Sequence, residues 1–221
     1  MKNLSKINSC QICSKPLKKA LDLGNHPLCD DLLKINTKRK NKEYPIIINY
    51  CNFCHTAFQK FQVRKKVLFP KSYHYRARFT NDVVRGQKDL VENIKKDFGS
   101  LKNKIILDIG CNDGTLLDVF KKQKSITVGV EPTNAYKDAS NSHDIYGHYL
   151  NKTLAKKIKI KYKKIDIITF TNVFAHINNL NELLDSLKIL LSNKTILVIE
   201  NHYLGSVINK KQFDTFYHEH P

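Results

Sequence analysis

A chain of 221 residues can bury a sizeable core, and its length suits one standard domain with a small one attached. No stretch approaches the roughly 18–20 continuous apolar residues that span a bilayer, and Met1-Lys2-Asn3-Leu4 runs on to Cys10 without an apolar leader, so a cytoplasmic protein with no membrane partner is expected. The formal charge of +18 points first to nucleic acid, but the lysines, 33 against 5 arginines, are scattered over every segment and form no stripe with interleaved aromatics; no nucleic-acid partner is expected, and attraction of a small diphosphate-bearing substrate fits the charge equally well.

Residues 1 to about 70 carry two C-x-x-C pairs, Cys10-Gln11-Ile12-Cys13 and Cys51-Asn52-Phe53-Cys54, with 37 residues between them. Pro16, Pro27, Pro45 and Pro70 and a short apolar run at Ile46-Ile47-Ile48 give this segment the look of a small loop-rich module that needs an external staple. Each pair forms a tight turn offering two thiolates to one ion, and two pairs complete a tetrahedral four-sulfur site that suits zinc. Closed coordination implies a structural metal; unrelated thiols or a redox pair are the competing reading. Cys29 and Cys111 fall outside the pattern and are expected to be packed or loop cysteines.

A helical connector is expected over 71–103, where Val83, Val84, Leu90, Val91, Ile94 and Phe98 recur at helical spacing and Gly99 supplies a stop. From Lys104 onward short apolar runs alternate with helical segments, the pattern of parallel α/β units. Five strands are predicted: Ile105–Ile109, Ile126–Val130, a weak one near Ile145, Ile165–Phe170 and Thr195–Ile199. An amphipathic helix precedes the last, with Leu180, Leu183, Leu184, Leu187, Leu190 and Leu191 as its core side.

The loop Asp108-Ile109-Gly110-Cys111-Asn112-Asp113-Gly114 follows a strand and precedes a helix, where a glycine-bearing turn lets backbone approach a nucleoside closely. It lacks G-x-G-x-x-G, which argues against a dinucleotide. Glu131 follows the second strand, 21 residues beyond Gly110, about where a carboxylate accepts hydrogen bonds from two ribose hydroxyls. A plain structural turn with a chance surface acid is the alternative. Asn172-Val173-Phe174-Ala175-His176 comes directly after the fourth strand, at the carboxyl edge where open α/β sheets bind ligands, and Asn172 and His176 share a face if a helical turn forms there.

The last segment, Phe213-Asp214-Thr215-Phe216-Tyr217-His218-Glu219-His220-Pro221, concentrates a phenol, two imidazoles and a carboxylate. That mixture suits proton transfer: imidazole titrates near neutral pH, a carboxylate can orient it, and a phenol can donate to a developing oxyanion. A His-x-His metal pair and a solvated tail are the other readings.

Together with Gly24-x-x-Pro27, Ser72-Tyr73-His74-Tyr75 and Gly129-Val130-Glu131-Pro132, these motifs resemble the zinc-containing S-adenosylmethionine-dependent sugar C-methyltransferases of deoxysugar biosynthesis. The resemblance covers essentially the whole chain. It implies an α/β fold in which a zinc-binding module over 1–70 precedes an incomplete class I, Rossmann-like methyltransferase sheet over 104–221. By it Cys10, Cys13, Cys51 and Cys54 hold zinc, and Asp108, Gly110, Asn112, Asp113, Glu131 and Asn172 serve the methyl donor. Tyr75, His176, Tyr217, Glu219 and His220 face a nucleotide-linked (dTDP-type) keto sugar, with His220 as base. Arg76-Ala77-Arg78-Phe79-Thr80 stands where many relatives carry a serine-rich stretch, which points to a subgroup with a different sugar. Relatives also continue past the His-Glu-His segment, so an exposed sheet edge is expected, and a partner chain that supplies the remaining C-terminal part. A remnant that binds zinc and donor without turnover, and a zinc-containing nucleic-acid methyltransferase, are the alternative functions.

Overall fold

The computed structural model describes residues 3–212 and 216–220. Phe213, Asp214, Thr215 and Pro221, which belong to the carboxyl-terminal motif, lie outside the described residues. The chain divides into two units, one drawn from 1–70, 175–180 and 202–221, the other from 71–174 and 181–201.

In the first unit, β1 (Leu4–Lys6), β2 (Lys18–Pro27), β3 (Glu43–Cys51), β4 (Thr56–Gln59) and β5 (Phe61–Val63) make two small antiparallel sheets, β2-β3-β4 and β1-β5. Period-two alternation along β3 turns Tyr44, Ile46 and Ile48 inward. β2 is mostly exposed and its pairing with β3 is irregular after Lys19 and after Asp22. One small core gathers Tyr44, Val63 and Leu68, the last on α1 (Lys65–Leu68), with Leu4, Leu28, Val67 and Phe69 packed against it. Another is Cys10, Cys51 and Phe58 with Cys13, Leu17 and Cys54. Two cores of this size contribute little burial, which is why the module needs its staple.

The second unit begins with α2 (Asn81–Phe98), which ends at Gly99 in positive φ with its N–H on the Lys95 carbonyl. Then follow β6 (Ile105–Ile109), α3 (Thr115–Lys122), β7 (Ile126–Val130), α4 (Tyr136–Ala139), β8 (Asp144–Tyr146), α5 (Lys152–Tyr162), β9 (Ile167–Thr171), α6 (Leu180–Leu190) and β10 (Ile196–Glu200); α7 (Leu204–Asn209) returns to the first unit. The sheet is fully parallel in the order β10-β9-β6-β7-β8. Its central strands β6, β7 and β9 are mostly apolar and almost wholly buried, as strands of a parallel sheet are. On one face Val91 and Ile94 of α2 and Leu116 and Phe120 of α3 close over Ile106 and Ile167. The expected connector helix is thus part of this unit's core.

The chain runs outward from β6 through β7 to β8, then returns to the other side of β6 for β9 and β10, so the order reverses at β6. Ligands of open α/β sheets bind outside the strand carboxyl ends at such a reversal. β10 pairs only with β9 among the described residues and leaves Leu197 and Ile199 exposed, the open edge expected from the sequence. No helix among the described residues is long and apolar enough to cross a membrane.

Candidate functional site

At the carboxyl end of β6 the chain must turn sharply to enter α3. Gly110 does so at φ +75, and a Cβ there would lie 2.5 Å from Cγ2 of Val173, so only glycine lets the loop close onto the end of β9. Its N–H and that of Cys111 both reach the Val130 carbonyl. Glu131, just beyond β7, is buried and accepts one backbone N–H on each oxygen, from Asn112 at 3.0 Å and from Thr133 at 2.8 Å. An ionised carboxylate offers about four acceptor positions, so two remain for a diol, which fits a ribose.

Asp108 lies below them on β6, fully enclosed. Burial first of all, with the Glu131 charge adding to it and a 2.6 Å hydrogen bond from Thr169 opposing it, pushes its carboxyl up to about 7. Asp113 is engaged differently. Its Oδ2 accepts from the backbone N–H and Nε of Arg78, and its Oδ1 from the N–H and hydroxyl of Thr115. Those four donors fill its acceptor positions, so Asp113 holds the loop and has none left for a ligand. Burial pushes its carboxyl up, but the Thr115 and Arg78 hydrogen bonds prevail and hold it below the usual carboxylate range. The Asn112 side chain is similarly committed, accepting from the Ala77 N–H and donating to the Tyr75 carbonyl.

Tyr75 therefore belongs with the loop after β6 through its backbone, while its ring is exposed and 6.4 Å from that of Tyr73. Asn172 stands at φ +54 directly after β9, its N–H on the Glu200 carbonyl and its amide 3.5 Å from the Glu200 carboxylate. The helical turn covers only Phe174–His176, so Asn172 and His176 do not share a helix face; they fall in different units.

The first unit gathers the remaining predicted residues. His220 stacks on His176 with ring centroids 4.8 Å apart, meets the edge of Tyr217 at 6.0 Å, and has His202 tilted toward it at 6.0 Å. Phe69 closes on His176 at 5.3 Å. Burial first, then repulsion from His176 and His202, pushes the His220 imidazole down to about 4. Glu219 does not orient that ring: its carboxylate takes the Cys29 thiol at 3.4 Å, and its backbone carbonyl takes Nδ1 of His176 at 3.1 Å. Adjacent residues of a turn point apart, which spacing along the chain does not reveal. Because a carbonyl only accepts, His176 carries a proton on Nδ1. The segment is anchored on the small sheets, by Gln59 donating to the Tyr217 carbonyl at 2.8 Å and by Nε2 of His218 on the Tyr44 carbonyl at 2.9 Å.

The sequence singled out neither His202 nor Arg78. His202 lies 18 residues before its ring partner, and no local pattern links the two; Arg78 lies 35 residues before its partner Asp113.

Cys10, Cys13, Cys51 and Cys54 form one cluster whose sulfurs all lie within 4.8 Å of one another, with Cys10–Cys54 at 3.4 Å and Cys13–Cys51 at 3.5 Å. These are far from a disulfide length of about 2.05 Å and near the ~3.8 Å edge of a tetrahedron with ~2.3 Å metal–sulfur bonds. Both turns have the same build: the Ser14 N–H returns to the Cys10 carbonyl and the His55 N–H to the Cys51 carbonyl, each at 2.9 Å, with Ser14 and His55 at positive φ. The donor set fits a structural zinc ion.

Residues 83–221 match the family described as "Methyltransferase domain". The chain belongs to that family. Residues 10–69 match the family described as "Putative zinc binding domain"; these matches, with the four-cysteine cluster, give S-adenosylmethionine and zinc as cofactors. A curated relative, the C-methyltransferase NovU of Streptomyces niveus, is 23% identical over 218 residues, 97% of this chain and 52% of the relative, so the chain spans about half that protein's length. Among solved structures, the plantazolicin methyltransferase BpumL with a pentazolic analog and SAH is 18% identical, with a TM-score of 0.48 over 65% of this chain and 60% of that one. A SAM-dependent methyltransferase from Archaeoglobus fulgidus is 22% identical, with a TM-score of 0.45 over 61% of this chain and 63% of that one.

Proposed function

We propose that this chain carries the base and the donor loop of a C-methyltransferase that methylates the carbon next to a ketone of a nucleotide-linked, dTDP-type keto sugar. The observation that carries the reading is His220, a half-buried imidazole kept neutral well below physiological pH and ringed by His176 and Tyr217. The C-methyltransferase name of the curated relative supports the same class of acceptor.

S-adenosylmethionine, when bound, supplies an electrophilic sulfonium methyl. Glu131 has acceptor positions for its ribose, Gly110 allows the backbone close to it, and Asp108, enclosed on Thr169, supports the loop from below. Asn112 and Asp113 act through the loop they hold in place. His220 takes the proton from the carbon beside the ketone, and the electron pair left behind delocalises onto the ketone oxygen. Tyr217 donates to that oxygen, since its phenol has a proton to give, whereas Nδ1 of His176 is taken by the Glu219 carbonyl. His176, held by its Nδ1 on the Glu219 carbonyl, stacks on His220 and fixes the orientation of the base. The partner in catalysis is the sugar nucleotide, with no nucleic acid required.

The test is incubation with labelled donor and a panel of nucleotide-linked keto sugars, beside a His220→Ala control. Transfer to a sugar that the control loses supports the reading; transfer to RNA and to no sugar overturns it.

A further inference from the structure

We infer that His202 is a proton relay between His220 and solvent. The inference rests on the reading of His220 as the base. It starts from a difficulty in that role. A half-buried imidazole that accepts a proton becomes a desolvated imidazolium, which readily returns the proton to the carbon it came from. Net reaction therefore depends on carrying that proton away.

Among the described residues, the rings of His176, Tyr217 and His202 face the His220 ring. His176 stacks on it but has its Nδ1 on the Glu219 carbonyl; Tyr217 meets its edge; the Glu219 carboxylate is turned to Cys29. His202 alone combines an exposed position with a titratable ring at 6.0 Å, just beyond β10. Among the described residues, neither the His202 ring nor the His220 ring makes a hydrogen bond. A centroid separation of 6.0 Å is too long for a direct ring-to-ring hydrogen bond, and two hydrogen bonds of about 2.8 Å through one water reach about 5 Å. In the relay the C–H bond breaks and an N–H bond forms on His220. That proton passes through the water to the free nitrogen of His202, whose imidazolium then releases it to a buffer base. His220 returns to neutral, and no other reactant is consumed.

Solvent deuterium wash-in at the carbon next to the ketone reads this path without any methyl donor. With a thymidine diphosphate-linked 4-keto sugar in dilute buffer, His202→Gln should slow wash-in by about tenfold at unchanged KM, and added imidazole should restore it, as expected for a positioned proton-transfer group. NMR titration of the histidine rings gives an independent reading: removing His202 should raise the His220 midpoint. A native chain that exchanges, loses exchange in His220→Asn and keeps it fully in His202→Gln overturns the relay and leaves the base intact. A native chain that exchanges nothing overturns the base, and the relay falls with it. A loss in His202→Gln that imidazole does not restore shows a structural role and also overturns the relay.

Discussion

His220 and Asp108 are displaced from their ordinary titration ranges in opposite senses by the same cause, burial. Burial disfavours the charged form of each, so imidazole becomes a weaker base and carboxyl a weaker acid. For His220 the folded value lies below the unfolded one. Wash-in at the sugar carbon should therefore stay flat as pH falls through ~6.5, where free histidine titrates, and drop only toward about 4. His220→Asn should lower it by about 10²–10⁴ with little change in KM. For Asp108 the folded value is raised, so its stability contribution is full below the unfolded value near ~3.9 and is lost as pH rises through about 7. Asp108→Asn keeps the Thr169 contact without a charge. It should raise the melting temperature at about pH 8 and leave it nearly unchanged at about pH 4, read by differential scanning calorimetry. Arg78 answers the carboxylate of Asp113, which is fully enclosed, with a guanidinium still 45% exposed. Arg78→Ala should cost ~2 kcal/mol in urea unfolding, less than a fully buried pair because solvent already screens the arginine.

At the scale of elements, the glycine turn after β6 joins the sheet to the donor site. Gly110→Ala adds a methyl against Val173 in a backbone conformation that costs an L-residue about 1–3 kcal/mol. The loop must move, and S-adenosylhomocysteine affinity by calorimetry should fall at least tenfold while zinc content stays the same. How far the sequence could be read follows the same line between local and distant causes. β6 and β7 were legible to the residue, because each is a short run dominated by Ile, Leu and Val between a lysine-rich turn and a glycine or proline. β9 starts later than the apolar run because Asp166 is drawn aside, its carboxylate accepting the Ile105 N–H and pairing with Lys104 and Lys164. α6 was read as a leucine face, yet Leu184 is exposed, since the buried stripe is the narrower set Leu183, Leu187 and Leu190. The two knuckles were legible from spacing alone. The partners of Asp113, Glu219 and His220 were not: Arg78, Cys29 and His202 lie 35, 190 and 18 residues away, and no periodicity reports a contact made by tertiary folding.

Across the whole molecule, the metal and the base belong to one chain of contacts. Cys51 closes β3, and the Cys54 and Phe53 amides push its thiol down to about 6. The turn they form hands the chain to β4, whose Gln59 holds the Tyr217 carbonyl; farther back along β3, Tyr44 holds His218. Two hydrogen bonds to residues of the zinc-stapled sheets thus fix the segment on which His220 is carried. The Gly110 loop and Glu131 lie in the other unit, whose apolar core is its own. A structural zinc site contributes its binding energy to folding, so a chelator should melt the module it staples. Native protein should bind about one zinc per chain, and Cys51→Ser should lower that occupancy. Removal of the metal should abolish deuterium wash-in at the sugar carbon while S-adenosylhomocysteine affinity changes by less than about threefold, and zinc added back should restore the exchange. Parallel loss of both would show that the donor loop also depends on the staple. Retention of both would show that the four cysteines hold together without it, and that the anchoring of His220 through Gln59 and Tyr44 does not run back to the metal.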